Sequence, residues 1–382
     1  MWKVIKNSVL RYGSTNTLTN KLAIFDLDQT LIKPRDSRKF SNSADDWQWM
    51  NSKIKNKLRK LHKENYSVVI ISNQAGLNNN KTRFSWFKKK IENIHNELKV
   101  PFLLYAAMNK DIYRKPNTGM IEFVLDYIFK KIGSVDKLFY VGDAVGRKYD
   151  HSDSDLKFAY NLELILNNVY LKKSDKYMKC PFYTPEQYFL GKDKSKKYKI
   201  EGFDPEKYIK DAKSKKYKFK KSSKQEMIMM FGFPGSGKSH FAKEISKKYQ
   251  FVYTSQDEHK TRTIKIADDA LNRGKTVVID NTHLTENQRS KYIAVAKKHK
   301  VPIRILVMTS DKKEEQLEYA KHMNMFRQRT GDSKSLKDTI YSFMSKSYSY
   351  PTLDSVIKKI EIVPYIPKFS KTSELVRYLQ RE

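Results

Sequence analysis

The chain has 382 residues, of which 39% are hydrophobic and 13% aromatic, so it can build more than one packed core and is not globally disordered. Its formal net charge of +34 at pH 7 favours polyanionic partners such as nucleic acid. Because no apolar run approaches the roughly 20 residues of a membrane span, and because the single cysteine, Cys180, excludes an intrachain disulfide, we expect no membrane partner and an intracellular, reducing compartment.

The first part of the chain alternates between short apolar runs and amphipathic segments. The runs LAIFDLD, SVVIISN, FLLYAAM and KLFYVGD are typical of strands buried on both faces, and the segments between them have helical spacing. This alternation predicts an α/β domain over residues 21–190, in which helices cover a parallel sheet. We expect residues 1–20 to be an N-terminal extension.

The composition changes at residues 191–224, a segment that contains 14 lysines and little apolar periodicity. We interpret it as a linker or a basic surface arm. A second series of strands and helices begins with EMIMMFGFPGSGKS and predicts another α/β domain over residues 225–382.

Polar residues follow the predicted strands of the first domain. Asp26 and Asp28 lie two residues apart after the first strand, so their side chains point to one side, and two close carboxylates favour a cation beside them. Hard oxygen ligands of this kind suit Mg²⁺. Later strands are followed by Ser72 and Asn73 as donors for a phosphate, by Lys115 as a fixed cation, and by Asp143 as a further metal carboxylate. We expect one site, since the carboxyl ends of parallel strands meet at one edge.

These four elements, in this order, resemble the haloacid dehalogenase superfamily of phosphatases, and the resemblance implies a Rossmann-like fold. It also implies covalent catalysis, in which Asp26 attacks phosphorus and Asp28 acts as general acid and base. The further roles that it implies are phosphate positioning by Thr30 and Ser72, neutralisation by Lys115, and Mg²⁺ binding by Asp26, Asp143 and the backbone carbonyl of Asp28. Gln29 stands where the family often has glycine. Asp150 and Asp155 either support the lysine or the metal from behind or are ordinary loop acids.

The segment GFPGSGKS, residues 232–239, follows an apolar run and precedes an amphipathic helix. It matches the P-loop pattern GxxxxGK[ST], whose glycines let backbone N–H groups turn inward around phosphates. The ATP-binding residues predicted by this pattern are Gly232, Gly235, Ser236, Gly237, Lys238 and Ser239. Lys238 is expected to reach the β- and γ-phosphates, and the Ser239 hydroxyl to ligate Mg²⁺.

Acidic and basic residues after the P-loop favour a kinase. Asp257 lies 19 residues after Lys238 and suits the carboxylate that accepts the proton of a substrate hydroxyl. Asp280 ends the apolar run TVVID, where it is expected to hold a water on Mg²⁺ or to orient the P-loop. Arg327 and Arg329 are candidates to contact the γ-phosphate; the alternative is a solvated basic helix face.

The order of the two sites resembles the polynucleotide kinase 3′-phosphatases, bifunctional enzymes of DNA end repair. The likeness rests on FDLDQTLI, DWQWM, YRKPNTGM, YVGDAVGR, TPEQYFL, GFPGSGKS, VVIDNTH and FR. It implies that one domain removes a 3′-phosphate and that the other transfers the γ-phosphate of ATP to a 5′-hydroxyl, with Asp257 as general base. Two features depart from the family pattern: we expect no forkhead-associated docking domain before the first strand, and Met325 stands where arginine is common.

The resemblance implies DNA ends and ATP as substrates, Mg²⁺ as cofactor, and a ligase or polymerase of the repair pathway as partner. The nucleus, the cytoplasm and a viral replication compartment stay open as locations. Two alternatives also stay open: a phosphatase whose kinase domain is weak or inactive and serves to bind nucleic acid, and the same chemistry on RNA ends. A phosphatase–kinase for small molecules is disfavoured by the +34 charge.

Overall fold

A computed structural model of the chain describes residues 1–36, 38, 41–172, 176–193, 195–331 and 336–382. The strands are β1 (Trp2–Ile5), β2 (Val9–Tyr12), β3 (Lys21–Phe25), β4 (Ile32–Lys33), β5 (Gln48–Trp49), β6 (Ser67–Asn73), β7 (Phe102–Ala107), β8 (Lys137–Val141), β9 (Phe182–Tyr183), β10 (Met227–Phe231), β11 (Val252–Ser255), β12 (Val277–Asp280), β13 (Ile303–Met308) and β14 (Ile357–Val363). The helices are α1 (Lys53–Lys63), α2 (Lys81–Leu98), α3 (Gly119–Lys131), α4 (Ser154–Ile165), α5 (Pro205–Ser214), α6 (Lys238–Tyr249), α7 (Gln256–His259), α8 (Thr263–Asn272), α9 (Glu286–Lys298), α10 (Lys313–Arg329), α11 (Asp338–Lys346) and α12 (Thr372–Leu379). Within these described ranges, no helix has the length and apolar character needed to cross a membrane.

The chain forms two compact units, the first made of Met1–Gly202 with Lys371–Glu382 and the second of Phe203–Ser370. The sheet of the first unit has the strand order β1-β2-β7-β6-β3-β8-β9. Strands β7, β6, β3, β8 and β9 are parallel, whereas β1 and β2 pair antiparallel at one edge. The predicted α/β fold with parallel strands is confirmed, and the antiparallel edge adds to it.

Both faces of this sheet are covered, and this explains why its strands are apolar throughout. Along β3, Leu22 and Ile24 pack with α3 and α4, and Ala23 and Phe25 pack on the other face with α1 and α2. This division follows from the period of two in a strand, which sends successive side chains to opposite faces. The central position of β3 places its carboxyl end, and therefore Asp26, in the middle of one sheet edge.

The second unit contains a five-stranded parallel sheet of order β11-β12-β10-β13-β14. Strand β10 is central, and its residues alternate in the same way: Met229 packs with α8 and α9, and Met230 packs with α6. Local signals fix the ends of helices here. Thr285 and Gln288 form a reciprocal capping box at the start of α9.

Three expected boundaries differ from the structure. Residues 1–20 are not a separate extension, because β1 and β2 extend the sheet and Val9 and Leu10 are fully buried or nearly so. The lysine-rich segment is not a uniform linker: it contains α5, capped by Asp204, and it buries Phe219 against the second sheet. Residues 371–382 belong to the first unit, where Val376 of α12 joins the core beside α3 and α4. Helix α12 has an apolar face that needs a partner, and its position in the sequence does not specify which unit provides it.

Candidate active sites

The first candidate site lies at the carboxyl edge of the first sheet. Asp26 directly follows β3, Ser72 and Asn73 end β6, and Asp143 comes two residues after β8. The Asp26 backbone N–H donates to the Val141 carbonyl at 2.9 Å, and this hydrogen bond holds the start of the loop after β3 beside the end of β8. These residues line one cavity of about 1050 Å³, together with Asp28, Lys115 and Asp155.

Lys115 is the buried cation of this cavity, with 3% of its surface exposed. Its Nζ donates to Asp26 Oδ1 at 2.5 Å, to Asp155 Oδ1 at 2.7 Å and to the Tyr140 hydroxyl at 2.9 Å. Burial works against its charge, but Asp155 and Asp26 together raise the pKa of Lys115. The ammonium group therefore stays charged beside Asp26.

Asp155 holds this lysine in place from behind. Its Oδ1 also accepts a hydrogen bond from the Tyr140 hydroxyl at 2.6 Å, and its Oδ2 accepts one from the Ala144 N–H at 3.0 Å. Gly142 makes room for the carboxylate, because a Cβ atom at this position would lie 2.5 Å from Asp155 Cγ. Of the two acids left open by the sequence, Asp155 supports Lys115.

Asp150 orders the loop instead. Its carboxylate accepts hydrogen bonds from the Val145 and Arg147 backbone N–H groups and from the Arg147 guanidinium, all between 2.9 and 3.0 Å. Arg147 in turn donates to the Asp143 carbonyl at 2.9 Å. Asp150 is thus linked to the site through Arg147.

Three carboxylates, those of Asp26, Asp143 and Asp155, have oxygens that all lie within 4.8 Å of one another. Burial raises the pKa of Asp26 well above its usual value, although the charge of Lys115 opposes the shift. Burial and then the charge of Asp155 raise the pKa of Asp143 to about 7. The site therefore contains more buried negative charge than Lys115 offsets. Carboxylate oxygens whose charge is not fully neutralised suit Mg²⁺. Asp26 and Asp143 are the better candidate ligands, because both oxygens of Asp155 already accept hydrogen bonds from the protein.

The remaining predicted residues surround these carboxylates. Thr30 Oγ1 donates to Asp143 Oδ1 at 3.0 Å, and Gln74 Nε2 donates to Asp28 Oδ2 at 2.5 Å and to Ser72 Oγ at 2.9 Å. Gln74 thus ties the general-acid candidate to the phosphate-binding candidate, a link that the sequence pattern did not indicate.

Asn73 is predicted to bind phosphate, and the structure gives its side chain a further contact. Its Nδ2 donates to the Lys115 carbonyl at 3.1 Å, and its Oδ1 accepts from the Lys115 N–H at 2.8 Å. Asn73 therefore positions the backbone of the lysine, and it also lines the cavity.

Residues 371–382 contact the segment that carries Lys115. Asn161 Nδ2 donates to the Pro116 carbonyl and to the Arg381 carbonyl, both at 2.9 Å, and its Oδ1 accepts from the Arg381 N–H at 2.7 Å. Gln380 Nε2 donates to Thr118 Oγ1 at 3.2 Å. The loop after Lys115 is therefore fixed partly by residues more than 250 positions later in the chain.

The second candidate site is the P-loop between β10 and α6. Gly232, Gly235 and Gly237 have φ angles of 147°, 91° and 92°, which favour glycine over any residue with a Cβ atom. Gly237 is also restricted by packing, because a Cβ atom there would lie 2.2 Å from the Tyr365 ring. The loop leads directly into α6, whose N-terminus presents unpaired N–H groups to an anion.

Lys238 is the first residue of α6 and is 6% exposed, and its Nζ donates to the Phe233 carbonyl at 2.7 Å. Burial lowers the pKa of Lys238 to about 8; the charge of Asp280 opposes this shift, and that of Arg327 adds to it. Ser236 is buried inside the loop, whereas Ser239 is exposed on the first turn of α6. The loop thus holds the lysine where backbone N–H groups and the ammonium group could bind one phosphate together.

The other predicted kinase residues lie around Lys238. Asp280 ends β12, is 6% exposed, and accepts a hydrogen bond from the Tyr253 hydroxyl at 2.8 Å. Asp257 is exposed on the short helix α7 after β11, and its charge also acts on Lys238. Arg327 lies on α10, and its positive charge helps to lower the pKa of Lys238. Arg329 lies two residues further along this helix, about 200° around its axis, so the two arginines face different sides.

Sequence reasoning missed Gln74, Tyr140, Arg147 and Tyr253. Gln74 follows the Ser72–Asn73 pair and could have been included by proximity alone. Tyr140 and Tyr253 lie within strands. The sequence of a strand does not distinguish a tyrosine that only packs from one whose hydroxyl also positions a carboxylate.

Comparison with known proteins identifies the family of the chain. A family model described as polynucleotide kinase 3 phosphatase matches residues 21–168, and one described as an AAA domain matches residues 255–338. The chain is 36% identical over 360 residues to a bifunctional polynucleotide phosphatase/kinase of Schizosaccharomyces pombe, with 94% of this chain and 82% of the relative covered.

Two further relatives extend the comparison. A protein of Acanthamoeba polyphaga mimivirus, whose description names the same two activities, is 31% identical over 385 residues, with 90% of this chain and 85% of the relative covered. A polynucleotide 3′-phosphatase of Saccharomyces cerevisiae is 32% identical over 194 residues, with 37% of this chain and 82% of the relative covered. The resemblance inferred from the motifs is confirmed: the chain belongs to the family of bifunctional polynucleotide phosphatase/kinases.

Proposed function

We propose that the chain heals DNA ends by removing a 3′-phosphate in its first unit and by phosphorylating a 5′-hydroxyl in its second. The observation that carries the first activity is the buried group of Asp26, Lys115 and Asp155, in which a carboxylate at a strand end lies beside a fixed cation. The +34 charge of the chain supports a polyanionic substrate, and the resemblance to DNA end-repair enzymes supports DNA.

In the phosphatase reaction, an Asp26 carboxylate oxygen forms a bond to phosphorus while the bond from phosphorus to the 3′ oxygen breaks. Asp28, held by Gln74, gives its proton to that oxygen. Asp28 then accepts a proton from a water that attacks the aspartyl-phosphate, which releases inorganic phosphate and restores Asp26. Lys115 offsets charge on the phosphate throughout.

Mg²⁺ would be held by Asp26, Asp143 and the backbone carbonyl of Asp28, and when bound it supplies positive charge to the phosphate oxygens. Thr30 fixes the Asp143 carboxylate for this purpose. Ser72 and Asn73 lie where they can position the phosphate from the side of β6.

In the kinase reaction, the P-loop N–H groups and Lys238 bind the phosphates of ATP, and Ser239 would hold the Mg²⁺ of the nucleotide, which supplies positive charge to these phosphates when bound. Asp257 accepts the proton of the 5′-hydroxyl as its oxygen bonds to the γ-phosphorus, and ADP leaves. Arg327 stabilises the charge on the transferred group, since it lies within electrostatic reach of Lys238. Asp280 orients the P-loop through the interaction of its charge with Lys238. We assign Arg329 no contact with the phosphates because it faces another side of α10.

The products, a 3′-hydroxyl and a 5′-phosphate, are the ends that a ligase joins, so an enzyme of that class, or a polymerase that extends the 3′-hydroxyl, is the partner that we propose.

The test is a double assay on a nicked DNA duplex that bears a 3′-phosphate and a 5′-hydroxyl, with the matched RNA duplex in parallel. We expect Asp26→Asn to abolish phosphate release while 5′-labelling from ATP continues, and Lys238→Met to do the reverse. Loss of both activities in either folded variant would contradict the two-site proposal. A faster reaction on RNA would overturn DNA as the substrate, and a wild-type protein that never labels a 5′ end would reduce the second unit to a binding module.

A further inference from the structure

Tyr149 is a large aromatic residue that is 75% exposed and lines the cavity containing Asp26. A single exposed tyrosine needs no explanation by itself. This one differs because its ring has a charged partner: the Arg147 guanidinium lies over it, with the Cζ atom 4.7 Å from the ring centroid. One face of the ring is therefore occupied, and the high exposure leaves the other face to solvent.

Arg147, which supports the ring, cannot move freely. Its Nε donates to both oxygens of Asp150, at 2.9 and 3.0 Å, and its Nη2 donates to the Asp143 carbonyl at 2.9 Å. Glu186 adds an ion pair at 3.5 Å. With its donors engaged by the protein, Arg147 is poorly placed to bind a substrate phosphate and well placed to keep Tyr149 at a fixed distance from Asp143.

We propose that Tyr149 is the stacking platform for the 3′-terminal base of the substrate strand. This inference rests on the proposed 3′-phosphatase activity and specifies its substrate as a 3′ end whose last base is unpaired and can present a face to the ring. Every base has a π-face, so the contact selects a polynucleotide end over a simple phosphate monoester without selecting a sequence.

The rest of the cavity suits the same substrate. Its volume of about 1050 Å³ accommodates a nucleotide, and Arg83 and Arg114 line it as cations for the next phosphodiester. Asp26 and Tyr149 belong to the same cavity, so a terminal phosphate on the nucleophile and its own base on the ring are compatible with one nucleotide. The role of Tyr149 is in substrate binding, not in bond breaking.

The experiment compares the full-length wild type with Tyr149→Ala and Tyr149→Trp on three substrates. These are glycerol 2-phosphate, a single-stranded oligodeoxynucleotide with a 3′-phosphate, and the same oligonucleotide with an abasic 3′-terminal residue. Tyr177→Ala is the matched control, since Tyr177 is 64% exposed in the same unit and is absent from the cavity lining.

We expect Tyr149→Ala to raise KM for the intact oligonucleotide roughly 5- to 150-fold, the loss of one base–aromatic stack, with kcat little changed. The KM of the wild type should rise by the same factor when the terminal residue is abasic. The KM of Tyr149→Ala should be the same on the intact and the abasic oligonucleotide, because ring and base form one interaction. Tyr149→Trp should retain wild-type KM. No variant should change hydrolysis of glycerol 2-phosphate, which has no aromatic ring, and Tyr177→Ala should match wild type throughout.

Two outcomes overturn the platform: an oligonucleotide KM for Tyr149→Ala within twofold of wild type, or equal losses on glycerol 2-phosphate, which would indicate a structural role. A wild type that hydrolyses glycerol 2-phosphate but no 3′-phosphorylated oligonucleotide would instead refute the proposed function, and the platform with it.

Discussion

Replacement of Asp155 by asparagine tests how the buried cation of the first unit is held. The change keeps the shape of the side chain but removes its charge, and it affects three hydrogen bonds at once. The amide can still accept from Lys115 or Tyr140, but its Nδ2 group would face the Ala144 N–H, donor against donor. A buried donor left unpaired costs about 1–3 kcal/mol. Lys115 keeps Asp26 as a partner, so the charge of the lysine is not left unpaired, and the expected loss of unfolding free energy stays at about 1–3 kcal/mol.

The four tryptophans of the chain, at positions 2, 47, 49 and 86, all lie in the first unit, so their fluorescence during urea unfolding reports this unit alone. We expect the Asp155→Asn transition to shift to lower urea, 3′-phosphatase activity to fall at least tenfold, and transfer from ATP to 5′ ends to stay unchanged. Asp153→Asn is the matched control on the same loop. Asp153 pairs with Lys157 but is itself 22% exposed, so its replacement should shift the midpoint less than Asp155→Asn does. Equal midpoints for Asp155→Asn and wild type would refute the reasoning.

Three further outcomes are expected. Gly142→Ala should abolish 3′-phosphatase activity and spare the kinase, because the new Cβ atom would displace the Asp155 carboxylate; an active variant would show that the loop adjusts. In nucleotide-free protein, the depressed pKa of Lys238 means that between pH 8 and 10.5 the unfolded chain holds a proton that the folded chain lacks, so stability rises with pH. Urea unfolding followed by circular dichroism should therefore show wild type gaining about 2–3 kcal/mol over Lys238→Met from pH 7 to 10; a pH-independent difference would contradict this. Burial and then Glu163 raise the pKa of the Cys180 thiol, so Ellman's reagent should modify it only as tryptophan fluorescence reports unfolding, and rapid labelling of the folded protein would be the contrary result.

The sequence was most informative where one short segment both forms an element and carries chemistry. FDLDQT and GFPGSGKS each follow a buried strand, and the strand fixes where their polar residues lie in space. Local patterns therefore predicted both folds and most of the residues that the two sites bring together.

What the sequence did not predict depends on contacts distant along the chain. Asp155 and Asp150 occur in one acidic segment, and only their partners, Lys115 and Arg147, distinguish their positions. Met325 stands where arginine is common, and the structure gives α10 a single arginine, Arg327, in electrostatic reach of Lys238 among the described residues. The same holds for helix α12: its amphipathic pattern predicts that one face packs against a core, but it does not indicate which unit provides that core.

The position of α12 has a consequence for the order of synthesis. The two pieces of the first unit, Met1–Gly202 and Lys371–Glu382, are separated by 370 − 202 = 168 residues. At about 5–20 residues per second, a ribosome needs roughly 8–34 s to cross that interval. Throughout this time, the core beside α3 and α4 lacks Val376, and the loop after Lys115 lacks its contact through Asn161 to Arg381. The unit that begins to emerge first is therefore the last to be completed, because its final helix is made only after all of the second unit.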